Sequence, residues 1–398
     1  MPFLNSKIEY IRRGYLLKHG LSNFTLAGKK QNDFKKVSFI ITLFNEEKDI
    51  SAFLDSLFEQ IALPEEIVIV DGGSTDNTLD ILINYFKKKV KVFDLKLDGN
   101  ILFDALDGIA GPDKNSGSIN VKIFQVNGAR ISEGRNFAIK NAMGEIICVS
   151  DCGCVLDKDW FLQITKPFQS GRELCVVGGY NYAMAKNFLQ SCLAASIMPK
   201  KEEIKKDKYM PSSRNLGFKR SAWLEVGGYP EVMDYGEDMK FNFNLRAKGY
   251  EINYNPEAIV YWKMRDNLSK IFKQFFRYAK GDALGKMYLY RHLVRFFSLI
   301  VPAAIIVLSL VLSPWFLLAL IILFGAYSFK PYRRINYIWD NPKISPYILL
   351  NKYTGIKKIL SKTIALFFIP FLLTYIDLAK LSGYIYGLFC RKTKKKAA

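Results

Sequence analysis

Acidic side chains stand at the ends of three short apolar runs in the first half of the chain. Glu46 follows VSFIITL (residues 37–43), Asp71 follows IVIV, and Asp151 follows EIICVS. Short runs rich in β-branched residues predict buried strands. Ligands of open α/β sheets bind outside the carboxyl ends of the strands, where a carboxylate can accept hydrogen bonds or hold a cation. We therefore expect a binding site at this edge of the sheet.

Helices with one apolar face separate these runs. Apolar residues recur at helical spacing within residues 50–61 and 79–86, and Ser132 is placed to cap a third helix. The alternation of strand and helix predicts a parallel sheet. Residues 96–120 are rich in Gly, Asp and Asn, which indicates an inserted loop, and a further helix is expected over residues 237–247.

The overall composition provides more apolar residues than one α/β core uses. The chain has 398 residues, of which 50% are hydrophobic, and a formal net charge of +20. A core of about 250 residues leaves roughly 100 for a second part. The positive charge favours nucleic acid, phosphorylated small molecules or anionic lipid as partners. A basic segment interleaved with aromatic residues occurs only over residues 263–292, just before a strongly apolar part of the chain. We therefore do not expect nucleic-acid binding.

The second part of the chain is strongly apolar and predicts attachment to a membrane. Residues 293–312 and 315–329 flank a Ser-Pro pair, which favours a hairpin of two short spans. Just before this hairpin, lysines and arginines lie on one face of an amphipathic segment and apolar residues on the other. Such a segment lies at the membrane surface, with its basic side chains against lipid headgroups.

A third apolar segment, residues 364–390, carries two charged residues in its middle. Asp377 and Lys380 would stand at depth if this segment crossed the bilayer, and the basic tail of the chain would lie on the far side. We therefore expect an interfacial or re-entrant helix here. The N-terminus has no apolar core of signal-peptide length, so the α/β part is expected on the cytoplasmic side of the cell membrane, attached by a multi-pass region.

Five sequence blocks occur in the order and spacing of family 2 glycosyltransferases, which the chain resembles over residues 37–261. The blocks are VSFIITLFNEEKDI, IVIVDGGSTDNT, EGRNFAIKNAMGEII, SDCGC and GEDMKFNFNLRAKGY. The resemblance implies an α/β fold of GT-A type with a mostly parallel, Rossmann-like sheet. It also implies transfer of a sugar, with inversion, from a nucleotide-diphosphosugar donor to a hydroxyl of a lipid-linked or glycan acceptor.

With this resemblance the chain divides into five parts. They are an N-terminal extension (1–35), a GT-A glycosyltransferase domain (36–262), amphipathic interfacial helices (263–292), a two-span transmembrane hairpin (293–330) and a membrane-associated C-terminal region with a basic tail (331–398).

The resemblance places the nucleotide pocket at the ends of the first two strands. Its residues are Thr42, Phe44, Asn45, Glu46 and Asp71. Arg135 and Asn136 match the family's residues near the donor phosphates, where a guanidinium neutralises charge. Two other interpretations stay open. Asp71 is also a good turn former before Gly72-Gly73, and Arg135 is also compatible with a surface arginine early in a helix.

Asp151 matches the first aspartate of the family's DxD motif, whose carboxylates hold a divalent metal, Mg²⁺ or Mn²⁺, across the donor diphosphate. Gly153 replaces the second aspartate. Either Asp151 binds the ion together with water and phosphate oxygens, or the metal contributes less in this protein.

Glu237 and Asp238 match the family's acidic pair near the acceptor, in which the aspartate is the catalytic base. Acidic residues are also common in a first helical turn because they favour the helix dipole. Gln274 and Arg277, in QFFRY, are close to the QxxRW motif of processive polysaccharide synthases, although an amphipathic basic helix explains the same residues. Arg214 is a further candidate contact to the diphosphate or the acceptor.

Two alternatives to a single-transfer enzyme remain at this point. One is a processive polysaccharide synthase, and the other is a catalytically silent glycosyltransferase-like membrane scaffold, which the missing second aspartate favours.

Overall fold

The computed structural model of the chain describes residues 36–89, 96–98, 101–103, 119–169, 174–340 and 355–396. The predicted N-terminal extension, and most of the predicted loop over residues 96–120, lie outside these ranges. The described parts of that loop form two short paired strands, β3 (Lys96–Asp98) and β4 (Ile101–Phe103), which the composition did not predict.

The other described strands form one eight-stranded sheet in the order β5-β2-β1-β6-β9-β8-β10-β7. Their bounds are β1 (Val37–Leu43), β2 (Glu66–Asp71), β5 (Asn120–Gln125), β6 (Ile146–Val149), β7 (Cys154–Leu156), β8 (Val176–Met184), β9 (Leu216–Lys219) and β10 (Ile252–Lys263). The first four strands in this order, β5, β2, β1 and β6, are parallel to one another. Beyond β6 the sheet is mixed, because β9 runs antiparallel to both of its neighbours and β7 antiparallel to β10.

The described helices are numbered in chain order. Seven belong to the α/β domain: α1 (Ile50–Phe58), α2 (Thr78–Lys89), α3 (Ile131–Asn141), α4 (Trp160–Thr165), α5 (Phe188–Ile197), α6 (Arg220–Glu225) and α7 (Glu237–Ala247). Four follow it: α8 (Leu268–Leu284), α9 (Leu289–Val311), α10 (Phe316–Asp340) and α11 (Gly355–Lys396). The helix predicted over residues 237–247 is confirmed.

Helices cover both faces of the sheet because successive strand residues point to opposite sides. On β1, Phe39 and Ile41 pack with α1, α2 and α4, and the ring of Phe39 meets the edge of Trp160 with centroids 5.9 Å apart. Ile40 lies in a separate buried cluster with α3, α6 and α7 on the other face. The α/β class predicted from the sequence is therefore confirmed.

The helix predicted to be capped by Ser132 begins earlier than expected. It starts at Ile131, and the main-chain N–H of Arg130 donates to the carboxylate of Glu133 at 2.8 Å. Ser132 is fully buried, and its hydroxyl has no hydrogen-bond partner among the described residues.

Three of the described helices are long and apolar enough to cross a membrane, namely α9, α10 and the part of α11 up to Arg391. The first two flank the Ser-Pro pair and expose most of their apolar side chains. In contrast, α11 buries one face in a cluster shared with the α/β domain, in which Ala365, Ile369 and Leu372 lie with Tyr180 and Tyr182.

Two glycines allow α11 to approach α8 closely. A Cβ atom at Gly383 would lie 2.1 Å from the carbonyl oxygen of Phe276, and one at Gly387 would lie 2.7 Å from that of Lys280. Gly325 on α10 is a matched contrast, since a Cβ atom there would meet nothing within 4 Å. The contact of α11 with α8 thus depends on the lack of a side chain at these two positions.

We predict opposite effects of alanine at these glycines. Gly383→Ala should lower the free energy of unfolding by about 1–3 kcal/mol, because main-chain atoms must move apart. Gly325→Ala should be neutral or stabilising by up to about 1 kcal/mol, because alanine favours a helix. Thermal unfolding in detergent measures the stability of both variants as a melting temperature. Equal melting temperatures would contradict the close packing of α11 on α8.

Candidate active site

A cavity of about 1160 Å³ opens at the carboxyl ends of β1 and β6 and continues to the C-terminal helices. It contains candidates from separate sequence blocks. Those that line it are Thr42, Phe44, Glu46, Arg135, Asp151, Arg214, Glu237 and Asp238. The parallel strands bring their ends together, as the sequence led us to expect.

The predicted nucleotide residues divide into two groups. Thr42, Phe44 and Glu46 line the cavity, and the Phe44 ring is exposed. Burial, with smaller contributions from the nearby charges of Asp49 and Asp151, raises the pKa of Glu46 to about 7. A carboxyl group at this pKa is partly protonated at neutral pH, which reduces its repulsion of an anionic ligand.

Asn45 and Asp71 instead hold the loops together. The Asp71 carboxylate is fully buried and accepts hydrogen bonds from the N–H groups of Gly73 (3.0 Å) and Ser74 (2.9 Å). Asn45 has a left-handed backbone (φ 55°), and its side-chain oxygen accepts from the N–H of Thr75 at 2.8 Å. The structure therefore gives Asp71 the turn-forming contacts that were the alternative interpretation.

Arg135 connects two parts of the site that are distant in sequence. Its guanidinium is only 2% exposed, donates to Asp151 Oδ1 at 2.8 Å and to Glu237 Oε1 at 2.8 Å, and lies over the Tyr229 ring. Burial of a guanidinium is unfavourable unless carboxylates compensate for the lost water. The two acidic residues supply that compensation, so Arg135 fixes β6 relative to α7.

Asn136 lies behind the cavity and does not line it. Its amide nitrogen donates to the carbonyl of Tyr229 and to Glu231, both at 2.8 Å, and its amide oxygen accepts from the indole N–H of Trp223 at 3.0 Å. These contacts hold the chain before α7 in place. Asn136 therefore supports the site rather than facing a donor phosphate.

Asp151 provides one carboxylate at the centre of the cavity and is about one third exposed. Its second oxygen lies 3.8 Å from Nε of Arg214. No group of three His, Cys, Asp or Glu side chains among the described residues is arranged to hold a metal ion. The space beside Gly153 is open, because a Cβ atom there would meet nothing within 4 Å. Asp151 therefore presents a carboxylate to the cavity without a second acidic side chain at position 153.

Arg214 is held firmly between β6 and β10. Its carbonyl accepts from the Ser150 hydroxyl at 2.8 Å, and its guanidinium stacks 3.9 Å above the Trp262 ring centroid. The buried Nε has no hydrogen-bond partner within the described part of the chain. The next residue, Asn215, anchors this turn by donating to the carbonyls of Tyr180 (3.0 Å) and Ala258 (2.9 Å). Arg214 is thus a cation positioned to meet an anion in the cavity.

Glu237 and Asp238 begin α7, and Gly236 before them has a left-handed backbone (φ 73°). Burial and the neighbouring Asp238 charge raise the pKa of Glu237 to about 7, against the opposing effect of Arg135. Burial also raises the pKa of Asp238, while Arg135 and Arg214 oppose the increase. A raised pKa makes Asp238 a stronger base than an exposed aspartate.

The two residues of the QFFRY segment do not line this cavity. Gln274 is buried and donates to the Tyr278 hydroxyl at 2.9 Å, and Arg277 lies 5.1 Å from the centroid of the Tyr235 ring. Their neighbour Tyr278 does line the cavity. Four further lining residues were not among the predicted site residues: Tyr288, Arg291, Arg295 and Lys380. Arg291 and Arg295 belong to the basic cluster that was assigned to lipid headgroups, and Lys380 was interpreted as a charge within an apolar segment.

Two models of known protein families match this chain. A family model described as "Glycosyl transferase family 2" matches residues 38–102, and one described as "Glycosyl transferase family group 2" matches residues 146–376, more than half of the chain. The protein is a member of glycosyl transferase family group 2. The resemblance seen in the five sequence blocks is thereby confirmed.

Curated relatives of this glycosyltransferase-family protein include poly-beta-1,6-N-acetyl-D-glucosamine synthases. The one from Staphylococcus epidermidis (strain ATCC 35984) is 25% identical over 279 residues, which cover 67% of this chain and 60% of the relative. The one from Staphylococcus aureus (strain COL) is 23% identical over 260 residues, 63% of this chain and 55% of the relative. The chain thus spans about 60% or less of the length of these relatives.

Two solved structures show weak overall similarity. The mannosyltransferase PcManGT from Pyrobaculum calidifontis, in complex with GDP-Man and Mn2+, has a TM-score of 0.49 and 14% identity, with 97% of this chain and 98% of that chain covered. TarS 1-349 of S. aureus, in complex with UDP, has a TM-score of 0.42 and 17% identity, with 91% and 92% covered.

Proposed function

We propose that this protein transfers a sugar from a nucleotide-diphosphosugar to a hydroxyl of a lipid-linked or glycan acceptor, with inversion at the anomeric carbon. The observation that carries the proposal is the single cavity that joins Phe44, Arg214 and Asp238 and continues to the C-terminal helices. Membership of a glycosyltransferase family supports the reaction class, and the names of the relatives support a glycan product.

In this proposal the donor lies between the end of β1 and Arg214. The exposed Phe44 ring offers a face for stacking of the nucleotide base. The guanidinium of Arg214, which is 15% exposed and lines the cavity, can neutralise the diphosphate, and Arg135 holds Asp151 beside it. Glu237 acts indirectly, by holding Arg135 from the opposite side.

Asp238 is the proposed base of the transfer step. It removes the proton from the acceptor hydroxyl while that oxygen bonds to the anomeric carbon and the bond to the diphosphate oxygen breaks. One displacement of this kind inverts the anomeric centre. Negative charge grows on the departing nucleoside diphosphate, and a fixed cation such as Arg214 stabilises it.

Replacement of the base tests this mechanism. Asp238→Asn should lower kcat at least about 100-fold, because an amide cannot accept the proton. Binding of the nucleoside diphosphate should change little, since the base faces the acceptor. The measurement is transfer from a panel of labelled nucleotide sugars by membranes that contain the protein, with lipid extract as the acceptor source.

Asp234→Asn is the matched control, because Asp234 lines the same cavity but pairs with the exposed Arg130. It should retain most of the activity. Full turnover by Asp238→Asn would show that another group is the base. Nucleotide binding by the unsubstituted protein without transfer or sugar hydrolysis would instead support the silent scaffold. Processive transfer is a second candidate because the relatives are named polysaccharide synthases. The chain length of the product distinguishes single from processive transfer.

We further propose that a divalent metal ion, Mg²⁺ or Mn²⁺, binds together with the donor. Asp151 would hold it, with phosphate oxygens and water as the other ligands, and the ion would supply charge neutralisation for the diphosphate. The open space beside Gly153 and the single carboxylate at Asp151 support this shared site.

Metal binding should therefore depend on nucleotide. Calorimetry with Mn²⁺ should show little binding to the protein alone and clear binding once a nucleoside diphosphate is present. Gly153→Asp should fold normally, because the space is open, and should bind Mn²⁺ without nucleotide. Asp151→Asn should abolish the nucleotide-dependent binding. Tight Mn²⁺ binding by the unsubstituted protein alone would contradict the shared site.

For the membrane, we propose that residues 293–330 form a two-span hairpin and that residues 36–262 and the C-terminal tail lie in the cytoplasm. The packing of α11 on the α/β domain supports a position along the membrane surface rather than across it. The basic tail is also expected on the cytoplasmic side.

Reporter fusions in a bacterial host test this topology. Green fluorescent protein at the C-terminus should fluoresce, which requires a cytoplasmic location, and alkaline phosphatase inserted between Ser313 and Pro314 should be active, which requires export. A non-fluorescent C-terminal fusion combined with C-terminal phosphatase activity would show that α11 crosses the membrane as a third span.

A further inference from the structure

The far end of the cavity contains cations that the proposed transfer step does not use. Beyond Asp238 the lining passes to Tyr288, whose hydroxyl lies 3.7 Å from the sulfur of Met239, and then to Arg291, Arg295 and Lys380. These three cations come from α9 and α11, which adjoin the membrane region.

Two of these cations have no carboxylate partner. Lys380 lies 4.8 Å from the centroid of the Phe275 ring, and Arg291 lies 4.0 Å from that of Tyr288. Neither makes an ion pair with any acidic residue that the structure describes. An aromatic face attracts a cation but does not neutralise its charge as a carboxylate would. Both positive charges thus remain available to an anion in the cavity.

The nearby acidic residues are already engaged. Asp282 is 2.9 Å from Nε2 of His292. Asp377 lies 3.4 Å from Nε of Arg295 and accepts hydrogen bonds from the hydroxyls of Ser298 and Tyr327. These contacts fix Arg295 at the cavity wall. Neither carboxylate forms an ion pair with Arg291 or Lys380 in the described structure.

The position of Lys380 is set by the backbone packing around it. It lies on α11 between the buried Ala379 and Gly383, where that helix meets α8. A charged side chain in an apolar helix is unfavourable and marks a functional site when it faces a polar cavity. Its charge is therefore directed at the cavity and not at bulk water.

An apolar surface begins beside the same cations. The first turns of α9 expose Leu293, Val294 and Phe297, on a helix that is long and apolar enough to cross a membrane. A phosphate bound by the cations would stand at the headgroup level, with a hydrocarbon chain alongside α9. A free anion would make no use of this surface.

We propose that Arg291, Arg295 and Lys380 bind the phosphate or diphosphate of a lipid-linked acceptor, whose hydroxyl end then reaches Asp238. This inference rests on the proposed transferase function and assigns the acceptor class: a sugar joined through phosphate to a long-chain lipid, with a hydroxyl of that sugar as the attacking group. Guanidinium and ammonium groups that converge on one wall suit the several oxygens of a phosphate group.

The melting temperature of the whole chain in detergent, measured with and without added ligands, tests this site. The probes are a polyprenyl phosphate, the uncharged polyprenol of the same length, and inorganic phosphate, each at the same concentration. A ligand that binds the folded state raises the melting temperature. We expect the polyprenyl phosphate to raise it clearly, and the other two to have little effect.

Substitutions then assign the effect to the cations. Arg291→Gln and Lys380→Met should each weaken apparent binding of polyprenyl phosphate about tenfold to a hundredfold, as expected for loss of a hydrogen bond to a charged group. Arg291 is exposed, so its replacement should not disturb folding. Arg333→Gln is the control, because Arg333 is an exposed arginine of α10 that lies outside the cavity lining.

Three results would overturn the proposal: equal protection by polyprenol, full protection by inorganic phosphate, or unchanged binding in both cation variants. Nucleoside diphosphate binding and sugar transfer are measured on the same preparations. Transfer without any effect of polyprenyl phosphate would refute only the acceptor site. Absence of transfer, with polyprenyl phosphate still bound through the cations, would refute only the proposed function.

Discussion

The buried ion-pair bridge of Arg135 organises the rest of the site. One guanidinium holds Asp151, at the end of β6, and Glu237, at the start of α7, although about 85 residues separate those carboxylates. A buried cation with two carboxylate partners is stable only while both contacts persist, because the loss of either leaves an uncompensated charge. The distance between the donor end and the proposed base is therefore set by this bridge and by the packing of α3 and α7 on the sheet.

The same bridge explains how the site distributes its charges. Arg135 donates to a carboxylate on each side, so it is less available to a phosphate than Arg214, whose Nε makes no hydrogen bond in the described structure and lies 3.8 Å from Asp151. Three acidic residues of the cavity, Glu46, Glu237 and Asp238, carry raised pKa values, chiefly because they are buried. In the proposed reaction, partial protonation of these groups reduces their repulsion of the anionic donor.

Much of the fold was predictable because it depends on local patterns. The runs that became β1, β2 and β6 are short, apolar and β-branched, and the acidic start of α7 lies at the expected residue. Other features, such as the first residue of α3 and the direction of β9, depend on tertiary contacts. Ser132 has a capping side chain, yet the turn of Arg130 and Glu133 begins the helix two residues earlier. The antiparallel β9 had no local signal that distinguishes its direction.

The sequence predicted lining residues of the cavity near β1 and β6, but it did not predict those on α9 and α11. Asp151 and Asp238 were predicted because sequence blocks mark them, Arg214 was a further candidate outside those blocks, and all three line the cavity. Asp71 and Asn136 belong to the same blocks, but they have structural partners that no motif reveals. Lys380 was interpreted as a charge that prevents α11 from crossing the membrane. Its place in the cavity depends on a contact with α8, more than 100 residues away in the chain.

The close fit of α11 against α8 through Gly383 and Gly387 has a consequence for how substrates meet. Because α11 also packs on the α/β domain, and residues of both α9 and α11 line the cavity, the cavity lies beside the hairpin of α9 and α10. In the proposed reaction, an acceptor confined to the bilayer finds the mouth by lateral diffusion within a plane, whereas the nucleotide sugar arrives from the aqueous phase. The two substrates thus approach by separate routes, and neither has to leave its own phase before they meet.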